Sequence, residues 1–281
     1  MFADLHLHSN FSDGTYRPEE VVAAGRQHGL GALALTDHDT VEGCARFAAA
    51  CAAAGVEYLA GAELSVEYGG QEYHLLGYGF DAGHPRLLTE LAQFQAVRQE
   101  RVLEMVARLN RLGIPLDAAA VFRVANCQSP GRPHVARALV EGGHCRTLDE
   151  AFERFLKIHR PAWVPTNKMA AATAVALLHE AGGLAVLAHP GLYRSDDALE
   201  ALVAAGLDGL ECFHSRHSPA TTRHYLATAA AHGLLVTGGS DCHGMNKGKP
   251  LIGSVQLADE HYRRLRARLN ETGAPASAGP I

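Results

Sequence analysis

No stretch of the chain approaches the roughly 18 uninterrupted apolar residues that a membrane-spanning helix needs, so no membrane association is expected. There is no basic excess either. Lys and Arg number 25 against 30 Asp and Glu, a formal charge of −5, whereas a non-specific binder of long nucleic acid carries a basic surface. A small phosphorylated substrate held by a few local cations stays open. The six cysteines (44, 51, 127, 145, 212 and 242) form no CxxC pair and no dense framework. They read as reduced thiols of a cytoplasmic protein, with Cys44 and Cys51 as core residues. The opening MFADLHLHSN has no basic or long apolar region, so no secretory leader is expected. Internal repeats are absent. The one low-complexity stretch, Asn270–Ile281, is expected to fray. What the chain has in quantity is histidine, 17 residues of 281.

Apolar residues make up 47% of the chain and charged residues 20%, which fits a packed protein of one or two domains. Short apolar runs alternate with helical patterns, the signature of βαβ units. Strands are expected at Phe2–His6, Gly31–Leu35, Val56–Leu64, Glu72–Tyr78, Leu184–Leu187, Gly209–Phe213 and Leu234–Thr237. Helices are expected at Arg17–His28, Val41–Ala54, Ala170–Ala181, Asp196–Ala205 and Pro219–His232. Tyr68-Gly69-Gly70-Gln71 reads as a hairpin turn. Seven strands with interleaved helices predict an α/β barrel. The alternation stops between Pro85 and Pro165, where helical patterns follow one another (Leu87–Leu112, Asp117–Ala125, Pro133–Glu141, Leu148–Leu156). A helical subdomain over 85–165, inserted into a barrel of residues 1–84 and 166–269, accounts for this better than a long bare loop.

Chemistry concentrates where strands end. Asp4-Leu5-His6-Leu7-His8 closes the first strand, with Asp13 in the following loop. Thr36-Asp37-His38-Asp39 closes the second, Glu63 lies near the end of the third and His74 in the fourth. His189 ends Ala185–Pro190, and Asp241 and His243 follow Val236–Ser240. A parallel barrel presents all its C-terminal strand ends, and hence its active site, at one mouth. Residues two apart on a strand share a face, so His6 and His8 both point inward. Glu63 in an apolar strand needs a metal, a cation or donors, because an unpaired buried carboxylate costs several kcal/mol. Taken singly, each cluster also fits core histidines, capped helices or ordinary turns; together they converge on one place.

Mixed His/Asp/Glu ligation without thiolates suits Mn²⁺, with Zn²⁺ or Fe²⁺ as alternatives. Nine candidates are too many for one ion, so two or three divalent ions are expected, with Glu63 bridging. Paired ions of this kind serve phosphoester hydrolysis.

HLHSNFSDG, ALTDHD, the glutamate of GAELS, LAHP and GGSDCH together resemble the PHP family of metal-dependent phosphoesterases, relatives of the amidohydrolases. The resemblance runs in order along nearly the whole chain. It implies a distorted (β/α)₇ TIM-like barrel with a trinuclear centre: His6, His8, Glu63 and Asp241 on one ion, Glu63, His74 and His189 on a second, Asp13, His38 and His243 on a third. The helical insertion with GRPH resembles the branch that contains 3′,5′-nucleoside bisphosphate phosphatases and RNA-trimming relatives.

Substrate-binding candidates lie mostly in the insertion. Along Leu87–Leu112 the apolar stripe is Leu91, Phe94, Val102, Met105, Leu109 and Leu112. Arg98 falls where that stripe expects an apolar residue and Arg101 lies one turn on, so the two could grip a phosphate. The plainer reading is solvated arginines, Arg101 pairing with Glu104. Ser129-Pro130-Gly131-Arg132-Pro133-His134 resembles an anion-binding helix start, with Ser129, Arg132 and His134 as contacts. Lys168, Arg194 and Phe213–His217 are further phosphate candidates.

The leading expectation is a cytoplasmic metallophosphatase that removes the 3′-phosphate of a 3′,5′-nucleoside bisphosphate by metal-hydroxide attack on phosphorus. Asp241, Glu63 and His189 are its catalytic candidates, with Asp241 or a nearby histidine handling the proton. A histidinol-phosphate phosphatase, a 5′–3′ exonuclease on short RNA, and a non-catalytic metal-sensing or polymerase-accessory module are the alternatives. A C–N hydrolase would need a carbamylated lysine, but Lys157 and Lys168 lie away from the strand ends.

Overall fold

The computed structural model describes residues 1–165, 168–193 and 195–271. Arg194 and positions 272–281 of the expected tail lie outside the described residues. In chain order the first elements are β1 (Phe2–Leu7), α1 (Pro18–Gln27), β2 (Leu30–Leu35), α2 (Cys44–Ala54), β3 (Glu57–Tyr68) and β4 (Gln71–Tyr78). Four helices follow without a strand among the described residues: α3 (Pro85–Arg111), α4 (Ala118–Ala125), α5 (Arg132–Glu141) and α6 (Leu148–Ala151), the last running into a π-type turn at Phe152–Leu156. Alternation then resumes with β5 (Met169–Ala170), α7 (Ala171–Glu180), β6 (Leu184–Leu187), α8 (Asp197–Ala204), β7 (Gly209–His214), α9 (Pro219–His232) and β8 (Leu235–Gly239). The described residues end with β9 (Leu257–Ala258) and α10 (Asp259–Glu271).

The sheet order is β8-β7-β6-β4-β3-β2-β1-β9, with β5 beside β3. Its ends curl together. The His8 amide donates to the Cys242 carbonyl at 3.0 Å and the Asp241 amide to the His6 carbonyl at 2.9 Å, which nearly closes a barrel. Gly239 makes this seam possible, because a Cβ there would stand 2.4 Å from the His6 nitrogen.

The barrel is not all-parallel as the sequence suggested. β4 runs antiparallel to both β3 and β6. A two-residue connection allows nothing else, and Gly69 and Gly70 supply it with φ of +59° and +79°. His74 therefore reaches the mouth from a strand antiparallel to both of its neighbours.

The barrel core joins Leu5, Leu59, Leu76, Tyr78, Leu184 and Val186. The same cluster takes in Tyr262, Leu265 and Leu269 of α10, a helix the sequence pattern did not suggest. Asn270 and Glu271, expected in the frayed tail, form its last turn. A second cluster (Val102, Met105, Leu109, Val121, Val135, Leu139 and neighbours) is drawn wholly from α3 to Val164. The first turns of α3 pack on the barrel instead, through Leu87 and Leu91. Leu112, expected in the α3 stripe, caps that helix half-exposed. Among the described residues no helix is long and apolar enough to cross a membrane.

Candidate metal centre

At the mouth the strand ends bring together all nine expected ligands. Glu63 is the hub. Its Oε2 lies 3.2 Å from His6 Nε2, 3.2 Å from His8 Nε2 and 3.1 Å from His38 Nδ1. Its Oε1 lies 2.7 Å from His74 Nδ1 and 3.0 Å from His189 Nε2. Asp241 Oδ1 faces His8 Nε2 at 3.3 Å and His6 Nε2 at 3.6 Å. Asp13 Oδ1 is 3.1 Å from His243 Nε2 and 4.0 Å from His38 Nε2.

Ligand atoms within 4.8 Å of one another form three groups: His6, His8, Glu63 and Asp241; His38, Glu63 and His74; and His8, Asp13, His38 and His243. The first is the set implied by the family resemblance. In the second, His38 stands where the resemblance implies His189, whose Nε2 lies 3.0 Å from Glu63 Oε1. The third gains His8.

These groups fit divalent cations on chemical grounds. His6 Nε2, His8 Nε2, His38 Nδ1, Asp13 Oδ1 and Glu63 Oε2 are buried without a hydrogen-bond partner, and each such orphan costs about 1–3 kcal/mol or more. Burial opposes ionisation here, yet the surrounding imidazoles hold Glu63, Asp13 and Asp241 well below the usual carboxylate range. Burial likewise works against protonated histidine, but Asp241 and Glu63 outweigh it at His8, lifting it to about 9. Glu63 and Glu72 do the same at His74, to about 10. His38 and His189 stay below the ordinary histidine value through burial. The cluster thus demands positive charge among acceptor atoms, which a divalent ion supplies without protonating its ligands.

Several groups that matter here were not read from the sequence. Glu211 of β7 accepts from His6 Nδ1 at 2.9 Å and from the His189 amide at 2.7 Å, the outer carboxylate that orients a ligand imidazole. Its signal was the one used for Glu63, a carboxylate in the apolar strand Gly209–Phe213. Asp37 accepts from the Ser9 amide, the Ser9 hydroxyl and the Ser12 hydroxyl at 2.6–2.7 Å and folds the loop that presents Asp13. His214, grouped with the phosphate candidates, points at Asp241 Oδ2 instead, at 3.5 Å. Backbone strain collects at the same place: Asp39, His189 and Asp241 have φ of +50°, +31° and +54°.

The substrate candidates divide. Arg101, Arg132 and Lys168 line one cleft with Asp13, His38 and His74. Arg98 lines it too, but its Nε donates to Asp39 Oδ2 at 2.6 Å and its Nη2 to the Ser65 hydroxyl at 3.0 Å, so its guanidinium serves a buried carboxylate. Arg101 does not pair with Glu104. It donates to the Val164 carbonyl at 2.9 Å, while Glu104 takes Arg108 and Arg111. Ser129 gives its hydroxyl to the His38 carbonyl at 2.7 Å. His134 is fully buried, and its Nδ1 accepts from the Gly131 amide at 2.9 Å, which removes it from the cleft wall. Lys168 stands 2.9 Å from Glu72.

Comparison with known proteins agrees with this geometry. Residues 4–115 match the PHP domain model. The chain is 35% identical to the 3′,5′-nucleoside bisphosphate phosphatase of Chromobacterium violaceum, over 95% of this chain and 97% of that protein. It is 34% identical to the 5′-3′ exoribonuclease Rnm of Salmonella typhimurium, over 85% and 84%. A Bifidobacterium adolescentis structure assigned as a metal-dependent phosphoesterase superposes with a TM-score of 0.88 at 34% identity, covering 95% of this chain and 96% of that one. A nearly closed barrel, a histidine-and-carboxylate mouth and full-length relatives together place this chain in the PHP family of phosphoesterases.

Proposed function

We propose that the protein is a metal-dependent phosphatase that removes the 3′-phosphate of 3′,5′-nucleoside bisphosphates. One observation carries this reading: a single cleft is lined both by the ligands Asp13, His38 and His74 and by the cations Arg101, Arg132 and Lys168. A cleft that holds cations beside metal ligands suits a substrate with two phosphates. Burial and then the Arg132 charge push the Arg101 guanidinium down to about 10. The full-length similarity to a bisphosphate phosphatase supports the same reading.

Divalent ions on these ligands, two or three per chain and Mn²⁺ by preference, would activate water and neutralise charge building on the phosphoryl oxygens. The chain's own residues hold and orient the reacting groups. Glu63 joins the ligand groups through its two oxygens, and His189 fixes the Oε1 side. Asp241 faces both His8 and His214, and this carboxylate–imidazole pairing would handle the proton released as phosphorus is attacked. Arg101 and Arg132 bind the 5′-phosphate, so the 3′ ester sits over the ligands before reaction. Residues 85–165, which supply Arg101 and Arg132, act as the specificity subdomain. Six free thiols support a cytoplasmic setting. A short RNA with a 5′-phosphate offers the same two anionic features, and similarity to an exoribonuclease favours it as a second substrate.

Phosphate release by Mn²⁺-loaded protein, measured on adenosine 3′,5′-bisphosphate, 3′-AMP, histidinol phosphate and an aryl phosphate, tests the proposal. The bisphosphate is expected to exceed 3′-AMP in kcat/KM by roughly ten- to a hundredfold, the worth of one charge-assisted contact, with AMP as product. Chelator-stripped protein is expected to be inactive. Equal rates on bisphosphate and 3′-AMP would remove the second-phosphate site, and full activity of stripped protein would remove the metal.

A further inference from the structure

The helices between β4 and β5 reach past the cleft and into the ligand loops. The Ser129 hydroxyl donates to the His38 carbonyl at 2.7 Å. Arg98 Nε donates to the Asp39 carboxylate at 2.6 Å, and Gln95 Nε2 to the Asp39 carbonyl at 3.3 Å. From α5, Arg137 Nη2 donates to the Asp13 carbonyl, and before it the Cys127 thiol donates to the Ser12 carbonyl at 3.3 Å. All five donors land on two short loops, 12–13 and 38–39, which carry Asp13 and His38.

The other ligands are held differently. His6 and His189 are fixed by Glu211 of β7, the His74 amide by the Tyr193 hydroxyl, and the Glu63 amide by the Asp37 carbonyl. All of these are barrel groups. Among the described hydrogen bonds, the helical segment reaches a strand side chain near them once, where Arg98 Nη2 meets the Ser65 hydroxyl two residues beyond Glu63.

We propose that the helical segment sets the position of the Asp13–His38–His243 ligand group, and with it the affinity for the ion held there, while the group of His6, His8, Glu63 and Asp241 is set by the barrel alone. Arg137 and Ser129 are its positioning residues: each holds the main chain of a ligand from outside. Both loops need such support. Asp39 keeps a φ of +50°, which surrounding contacts must maintain. The Asp13 carbonyl has one barrel donor, Asn246 Nδ2 at 2.6 Å, and takes its second from α5.

This inference rests on the ligand assignment proposed above, and the experiment separates the two. Metal-stripped wild type, Ser129→Ala, Arg137→Met and Arg137→Lys are titrated with Mn²⁺ by calorimetry and by electron paramagnetic resonance. Anomalous diffraction from Mn²⁺-soaked crystals then locates each ion. Losing an outer contact to a ligand weakens metal by roughly 10- to 100-fold. One class of Mn²⁺ is therefore expected to weaken by that factor in Ser129→Ala and Arg137→Met, with the remaining class within twofold of wild type. Arg137→Lys, which keeps a cationic donor, is expected to recover most of the loss, which separates positioning from damage to the fold. The anomalous peak that fades should be the one between Asp13 and His243. If every class weakens together, or none changes, the segment does not set this group, although the ligand assignment stands. If wild type shows no ion between Asp13 and His243, the assignment itself fails and the inference with it.

Discussion

Arg98 and Arg101 lie one turn apart on α3 and have opposite surroundings. Arg98 is 15% exposed and paired with the buried Asp39; removing one partner of such a pair leaves an uncompensated charge, at about 3–5 kcal/mol. Arg101 meets a neutral carbonyl and faces the cleft beside Arg132. Arg98→Met is therefore expected to lower the urea midpoint and to depress turnover of a bisphosphate and an aryl phosphate in parallel. Arg101→Met should leave the midpoint unchanged and raise KM for the bisphosphate alone, by roughly tenfold or more. The reverse pattern, or parallel losses in both variants, would return Arg98 to the substrate. The pair shows where sequence reasoning stops at this scale. A polar residue on an apolar stripe signals a buried partner, but which partner depends on a loop fifty-nine residues away. Glu63 was legible because a carboxylate inside an apolar strand has few solutions. Glu211 carried the same signal without a histidine motif beside it.

At the scale of elements, α10 is the informative absence from the sequence reading. Its sequence, DEHYRRLRARLNE, is dominated by charge, which masks the helical spacing of its three apolar residues Tyr262, Leu265 and Leu269. All three are buried in the barrel core. Tyr262 also donates to Glu57 Oε2 at 2.9 Å, and Leu269 fills the space left by Gly79. Leu265→Ala is expected to cost about 2–5 kcal/mol, the range for a buried leucine truncated to alanine, read from urea unfolding. A cost below about 1 kcal/mol would mean that α10 covers the barrel without being part of its core. Elements with strong apolar alternation were located within a few residues, and the Gly69-Gly70 hairpin was read from its turn chemistry. The direction of β4 was there as well, since a two-residue turn reverses the chain, but the expectation of a parallel barrel hid it.

Across the whole molecule, the barrel gathers residues from position 6 to position 243 at one mouth, and α5 joins that mouth to the proposed 5′-phosphate site. Arg132 opens α5, and Arg137 farther along the same helix holds the Asp13 carbonyl. An anion drawn onto Arg132 therefore acts on the element that positions Asp13, and by linkage ion and anion must favour each other equally. AMP is the discriminating probe, because it keeps the 5′-phosphate and has no 3′-phosphate to reach the metal ligands. In wild type, AMP is expected to bind Mn²⁺-loaded protein about fivefold or more tightly than stripped protein, at the lower end of ordinary coupling. The same factor should appear in the Mn²⁺ affinity measured with and without AMP. In Arg137→Met the factor should fall toward one, while AMP affinity for stripped protein stays within twofold of wild type, since Arg101 and Arg132 are untouched. Calorimetric titrations in both orders measure every leg of this cycle. If AMP binds wild type equally with and without Mn²⁺, the two sites are independent. If the coupling survives intact in Arg137→Met, it passes through direct contact between nucleotide and ion, and α5 carries none of it.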